Sequence, residues 1–193
     1  MIPNTENHLI ERGLNGKFKA SFGKVEIFNL NDLYNQDKRA VFIVEGWADC
    51  LSFYECGFYS IALNSTSNKN LLIKQLTDKP TSNKLILALD SDDEGKRKSQ
   101  ELKEKLKVLG YETMNFDLKK YHDCNDFFKA DRNDFINTAK EIENKMSILD
   151  IAKSISEGLA RMATAGEVDG EVKDLRYVVE KDCSLNILTL SGL

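Results

Sequence analysis

VFIVEGWADCLSFYECG, residues 41–57, joins a short run of β-branched and aromatic residues to a stretch of helical length, with Glu45-Gly46 at the join. Beyond it the same alternation continues: YSIAL follows at residues 59–63, then a polar-apolar stretch from Lys69 to Thr77, then KLILALD at 84–90. Short continuous apolar strands separated by helix-length segments are what a parallel sheet covered on both faces requires. The pattern therefore predicts an α/β fold with strand, helix, strand, helix, strand over residues 40–90. Asp93 to Leu109 places Leu102, Leu106 and Leu109 at helical spacing, and Gly110 stands where a helix terminator belongs. YETMNFDL, 111–118, reads as a further strand, and residues 124–146 as two short helices with Asn125 and Asp131 as N-caps.

The flanks are less regular. A hairpin is predicted in which Lys17 to Phe22 pairs with Lys24 to Leu30 around Gly23. Beyond the sheet, Ile148, Ile151, Ile155, Leu159 and Met162 recur three or four apart, which predicts one amphipathic helix over Ser147 to Ala165. The polar break TAGEVDGE follows, then two strands, Leu175 to Glu180 and Leu185 to Leu190. That arrangement, with Ser191 to Leu193 directly after an apolar stretch, predicts a junction to a further domain. The domains expected are 1–38, an N-terminal extension; 39–134, the α/β sheet; and 135–193, a C-terminal helical and strand appendage.

Composition bounds the class. The 193 residues are 41% hydrophobic and 30% charged, as in a globular protein with a real core. No apolar run reaches the ~20 residues of a membrane span, and Met1 to Glu11 lack the pattern of a secretory signal. The expectation is a cytoplasmic protein with no membrane partner. Cys50, Cys56, Cys124 and Cys183 match no zinc-ribbon spacing. With 27 Lys and Arg against 31 Asp and Glu, the net charge of -4 offers a polyanion no global attraction, so nucleic-acid contacts must come from local patches or metal ions.

The informative feature is where the acids fall. Glu45 ends one predicted strand; Asp90 ends another and is followed at alternate spacing by Asp92. In an open α/β sheet the carboxyl edge of the strands is where ligands bind. Asp49 follows Glu45 by one helical turn, and Asp123 lies just beyond the next strand, which brings both to the same edge. Carboxylates gathered in a cleft repel one another until a proton or a cation relieves them. Oxygen-only ligands select a hard divalent ion, Mg2+ or Mn2+, which keeps several waters and takes substrate phosphates as further ligands. The expected substrate carries phosphate. Acids at strand ends also serve as helix caps, the better reading for Asp93 and Glu94.

VFIVEGWADCLSFYECG followed by LILALDSDDEG resembles the TOPRIM domain shared by topoisomerases, bacterial-type primases and some nucleases, with its Glu-Gly after the first strand and Asp-x-Asp after a later one. The resemblance covers about Arg39 to Asp134. EGWAD and HDCNDFF are similar to the primase version, and FGKVEIFNLNDLYN, 22–35, to primases of phages and mobile elements, some fused to helicases. It implies an acid-base or metal-binding role for Glu45 and metal ligation by Asp90 and Asp92, with Asp49 and Asp123 as further ligands. It also implies Mg2+-dependent primer synthesis from ribonucleoside triphosphates on a single-stranded DNA template, with a replicative helicase in cis or in trans as partner.

Two alternatives fit the same residues. A TOPRIM nuclease would use the same acids to cleave a phosphodiester, and a non-catalytic fragment would bind only DNA or a protein. The sequence lacks a zinc module, a basic template-binding region and a Gly-rich phosphate loop, so the expectation is the catalytic core of a longer protein, feebly active alone. Lys96, Arg97 and Lys98 read equally as phosphate contacts or as a solvated helical face; Trp47 reads as packing before base stacking. Ser65 to Asn68 reads as a helix cap. His8 and His122 have no partner spacing that assigns them a role.

Overall fold

The computed structural model describes residues 2–5, 8–12, 19–23, 26–64, 68–179 and 182–190, with side chains from residue 26 onward. The chain forms two units that divide between Glu143 and Asn144. Unit one begins with β1 (Ile2–Thr5), β2 (His8–Arg12) and β3 (Lys19–Gly23), an antiparallel sheet in that order. This corrects the expected hairpin: β3 pairs with β2, Phe28 bridges Ala62, and Leu30–Tyr34 form a 3-10 turn. Lys17, Phe18, Lys24 and Val25 of that hairpin lie outside the described residues, as do Ser65 to Ser67 of the expected cap.

The central sheet contains β4 (Val41–Val44), β5 (Tyr59–Ala62), β6 (Leu85–Ala88) and β7 (Thr113–Asn115), all parallel, in the order β5-β4-β6-β7. Its helices are α1 (Trp47–Glu55), α2 (Asn68–Asp78), α3 (Asp93–Val108), α4 (Cys124–Ala130) and α5 (Arg132–Asn144). The α/β reading holds, and the reason the strands are apolar throughout is visible in the two cores. Phe42, Val44, Ile86 and Ala88 face a cluster that includes Phe53 of α1, Phe127 of α4 and Phe135 of α5. Val41, Ile43, Leu85 and Leu87 face the opposite cluster, with Leu72 and Leu76 of α2 and Leu102 and Leu106 of α3. Successive strand residues point to opposite faces, and here both faces are dry. Phe42 stacks on Phe53 with ring centroids 4.2 Å apart, which fixes α1 against β4.

The chain leaves β4 toward β5 and returns past it to β6, so the connections after β4 and β6 diverge and open a crevice at their carboxyl ends. α3 ends at Val108 with Leu109 as its C-cap, and Gly110 follows in the left-handed region, as expected. Of the two caps expected for α4 and α5, Asp131 does accept from the Asp134 N–H, 3.0 Å. Asp123 rather than Asn125 caps α4, because the chain is still extended at Asp123 and turns helical at Cys124.

In unit two, β8 (Met146–Ser147) pairs with β11 (Val178–Val179), and β9 (Ala163–Val168) lies between β10 (Glu171–Lys173) and β12 (Leu185–Thr189), all antiparallel. The single helix expected over Ser147 to Ala165 is two, α6 (Ile148–Ile155) and α7 (Glu157–Met162), followed directly by strand. Ser156 is extended and its Oγ accepts from the Leu159 N–H, 3.0 Å, so the side chain restarts a helix instead of continuing one. The expected polar break is a hairpin, β9 to β10, turning at Asp169-Gly170, both with positive φ. Ile148 and Ala152 of α6 are fully buried. Among the described residues no helix is long and apolar enough to cross a membrane.

Candidate active site

Glu45, Asp49, Asp90 and Asp123 line one cavity of about 180 Å3 with Gly46, Trp47, Ala48, Asn64 and Asn125. The sheet puts them there: Glu45 follows β4, Asp49 stands in the first turn of α1, Asp90 follows β6, and Asp123 opens α4. Backbone N–H groups hold three of the acids in and beside this cavity. Asp49 accepts from the Gly46 N–H through Oδ2 (3.2 Å) and from the Asn125 N–H through Oδ1 (3.0 Å), tying α1 to α4. Asp123 Oδ1 accepts from the Asp126 N–H at 2.6 Å. Asp92, the N-cap of α3, accepts from the Gly95 N–H at 2.7 Å through Oδ1.

Gly95 makes the approach of α3 possible. A Cβ there would lie 2.7 Å from the Asp90 carbonyl carbon and closer still to its oxygen. Backbone cannot yield as a flexible side chain does, so Gly95→Ala is expected to cost about 3 kcal/mol. Urea denaturation checks this; a loss below about 0.5 kcal/mol would mean that α3 shifts freely.

The electrostatics follow from crowding. Burial, then the charges of Glu45 and Asp49, push the Asp90 carboxyl up to about 7. Asp49, only 7% exposed, is pushed up to about 6 by burial, its backbone hydrogen bonds opposing and the Asp123 charge adding to the rise. Asp92 moves the other way, held below the usual carboxylate range by the Gly95 N–H. Its Oδ2 is 3.6 Å from His122 Nε2, and His122 Nδ1 is 3.8 Å from Asp123 Oδ2. His122 thus stands between two of the acids, a placement foreshadowed only by its adjacency to Asp123. The presence of Asn64 and Asn125 in the cavity wall was likewise unforeseen.

The three basic residues separate. Lys96 is exposed and lines a neighbouring cavity of about 310 Å3 that shares Asp90 and includes Ser99, Gln100, Asn115 and Lys119. Arg97 pairs with Glu101, which also takes Lys69. Lys98 is buried, its Nζ 2.7 Å from Glu45 Oε1 and 3.0 Å from Glu94 Oε1. Trp47 lines the acidic cavity, its Nε1 buried without a hydrogen-bond partner.

As a donor set these oxygens suit a hard divalent ion that retains waters. Among the described residues no three His, Cys, Asp or Glu close into a ligand cage, so an ion here would be held by one or two carboxylates and its own waters.

Comparison with known proteins gives two matches along the chain. Residues 42–128 match the family model described as Toprim-like, and 137–189 match the one described as TGS domain. The primase fragment of the bacteriophage T7 primase-helicase superposes with a TM-score of 0.54 at 16% identity, over 71% of this chain and 56% of that one. Threonine–tRNA ligase of Acetivibrio thermocellus is 56% identical over 52 residues, and that of Clostridioides difficile 54% over 48. Those stretches are 27% and 25% of this chain, and the chain spans 8% of each ligase. The motif resemblance ends near Asp134 and gives no sign of the TGS match. Residues 42–128, which carry the parallel sheet, are thus similar to Toprim-like domains, and residues 137–189 to TGS domains.

Proposed function

We propose that unit one is a divalent-ion-dependent nucleotidyl-transfer site of the primase type, extending RNA primers from ribonucleoside triphosphates on single-stranded DNA. The observation that carries the reading is the convergence of Glu45, Asp49, Asp90 and Asp123 on one cavity at the carboxyl edge of a parallel sheet, crowded enough to lift Asp90 to about 7. The repulsion in such a cavity is relieved by a proton or by a cation, and a divalent ion offers the larger opposing charge. Asp90, with one neighbouring acid, Asp92 or Asp123, would hold Mg2+ or Mn2+, waters completing the shell; Asp49, both oxygens engaged by N–H groups, orients α4 toward the cavity.

The ion, when bound, neutralises phosphate charge. The chain's own part is positioning. Glu45 presents a carboxylate at the cavity wall, able to accept the proton of an attacking hydroxyl. Lys96, exposed in the cavity on the other side of Asp90, supplies positive charge for a triphosphate. Template binding rests on other surfaces, since the net charge is -4, and a replicative helicase in cis or in trans would supply a path for the strand.

A primer assay tests this: the chain at micromolar concentration, single-stranded template, four ribonucleotides and Mn2+. Short oligoribonucleotides in low yield, absent with EDTA, are expected. Template cleavage without synthesis would replace the reading with a nuclease, and neither activity under conditions where Mn2+ binds would leave a metal-binding domain without this chemistry.

A further inference from the structure

Lys98 lies on the buried stripe of α3 with Gly95, Leu102 and Leu106, and only 8% of it is exposed. An ammonium taken from water requires a partner, and two are present. Glu94, one turn earlier on the same helix, is an exposed side chain and forms a surface pair. Glu45 is different: it forms part of the cavity wall, and the Lys98 Nζ bond engages its Oε1 at 2.7 Å. One carboxylate oxygen of a cavity-lining residue is thereby fixed. Through Glu45 the positive charge is joined to a cavity whose other charged walls, Asp49, Asp90 and Asp123, are all acidic.

We propose that Lys98 is a positioning residue for Glu45 and the resident countercharge of the acidic cavity, holding the Glu45 carboxylate in one orientation and tempering the cavity's affinity for a divalent ion. The inference rests on the metal-site reading above and goes beyond it, because it assigns Lys98 inward to the cavity rather than outward to nucleic acid. It predicts a separation of effects. Removing the charge strengthens ion binding, because the ion no longer meets a fixed cation; removing the hydrogen bond loosens Glu45 and slows transfer.

The test is Mn2+ calorimetry on the full chain as wild type, Lys98→Met, Lys98→Gln and Lys98→Arg, with circular dichroism confirming the fold of each. Both neutral variants are expected to bind Mn2+ about tenfold more tightly than the wild type, and Lys98→Arg within about twofold of it. In the primer assay at saturating Mn2+, Lys98→Met is expected to lower kcat about tenfold, and Lys98→Arg, which restores a donor to Glu45, to recover most of it. Because two neutral variants are used, a folding failure of one leaves the other to decide. Unchanged or weaker Mn2+ binding in a folded neutral variant overturns the proposal while the metal site stands. No Mn2+ binding by the wild type overturns the metal site and this inference with it.

Discussion

Asp90→Asn is expected to abolish measurable Mn2+ binding and, in the same protein without metal, to raise stability at pH 7.5. Both follow from one cause. Asp90 ionises near pH 7 in the folded chain and near 3.8 when unfolded, so between those values the folded state carries the extra proton. Stability therefore falls as pH rises from about 4 to about 7, and above that the penalty is fully present. The rise from 3.8 to about 7 corresponds to about 4 kcal/mol undiminished; Asp90 is only half-buried, and solvent screening reduces the gain on neutralisation to about 1–2 kcal/mol. Urea denaturation of both proteins at pH 7.5 and pH 4 checks the sign: the advantage of the variant should shrink toward pH 4. A variant less stable than the wild type at pH 7.5 would show that Asp90 serves the fold rather than a cation.

Glu45→Gln should reduce nucleotidyl transfer about a thousandfold, the scale of a lost general base or charged ligand. The fold should survive, because the Gln amide oxygen can still accept from Lys98 Nζ. Mn2+ affinity should weaken less than in Asp90→Asn, since Glu45 already shares its charge with Lys98. Single-turnover primer assays at saturating Mn2+ separate these effects, and retained synthesis would remove Glu45 from the chemistry.

What was legible in the sequence is what local pattern determines. β4 and β6 read as strands because both their faces are covered, leaving continuous apolar runs with an acid at each carboxyl end. The site was legible for the same reason: strand ends carry Glu45 and Asp90 to one edge whatever the loops do. The role of Asp92 as a cap was less visible, since Asp92, Asp93 and Glu94 are adjacent and only the turn geometry selects among them. Lys98 did carry a signal, standing four residues before Leu102 and eight before Leu106, on the stripe that had to be buried. Its neighbours Lys96 and Arg97 disguised it as part of a basic patch.

Unit two was the least legible. Ala163–Val168 reads as the end of a helix running into a polar, Gly-containing break, but it is central in its sheet, paired on both sides by β10 and β12. Long-range pairing overrides local preference there, and a single sequence carries little trace of it. At the site, Asn64 arrives from the end of β5 and His122 and Asn125 from around the start of α4, and no local pattern in the sequence marks that meeting.

Whether the carboxyl edge of the β4–β6 pair binds a divalent ion is decided by locating the ion. Substoichiometric Mn2+ added to 15N-labelled protein broadens amide resonances near where it binds. The Gly46, Ser91, Asp92, Asp123 and Asn125 signals should be lost first. Broadening spread over acidic surfaces such as Asp131 to Asp134, with the 45–49 and 90–92 amides retained, would place the ion elsewhere and remove the basis for a metal-dependent site.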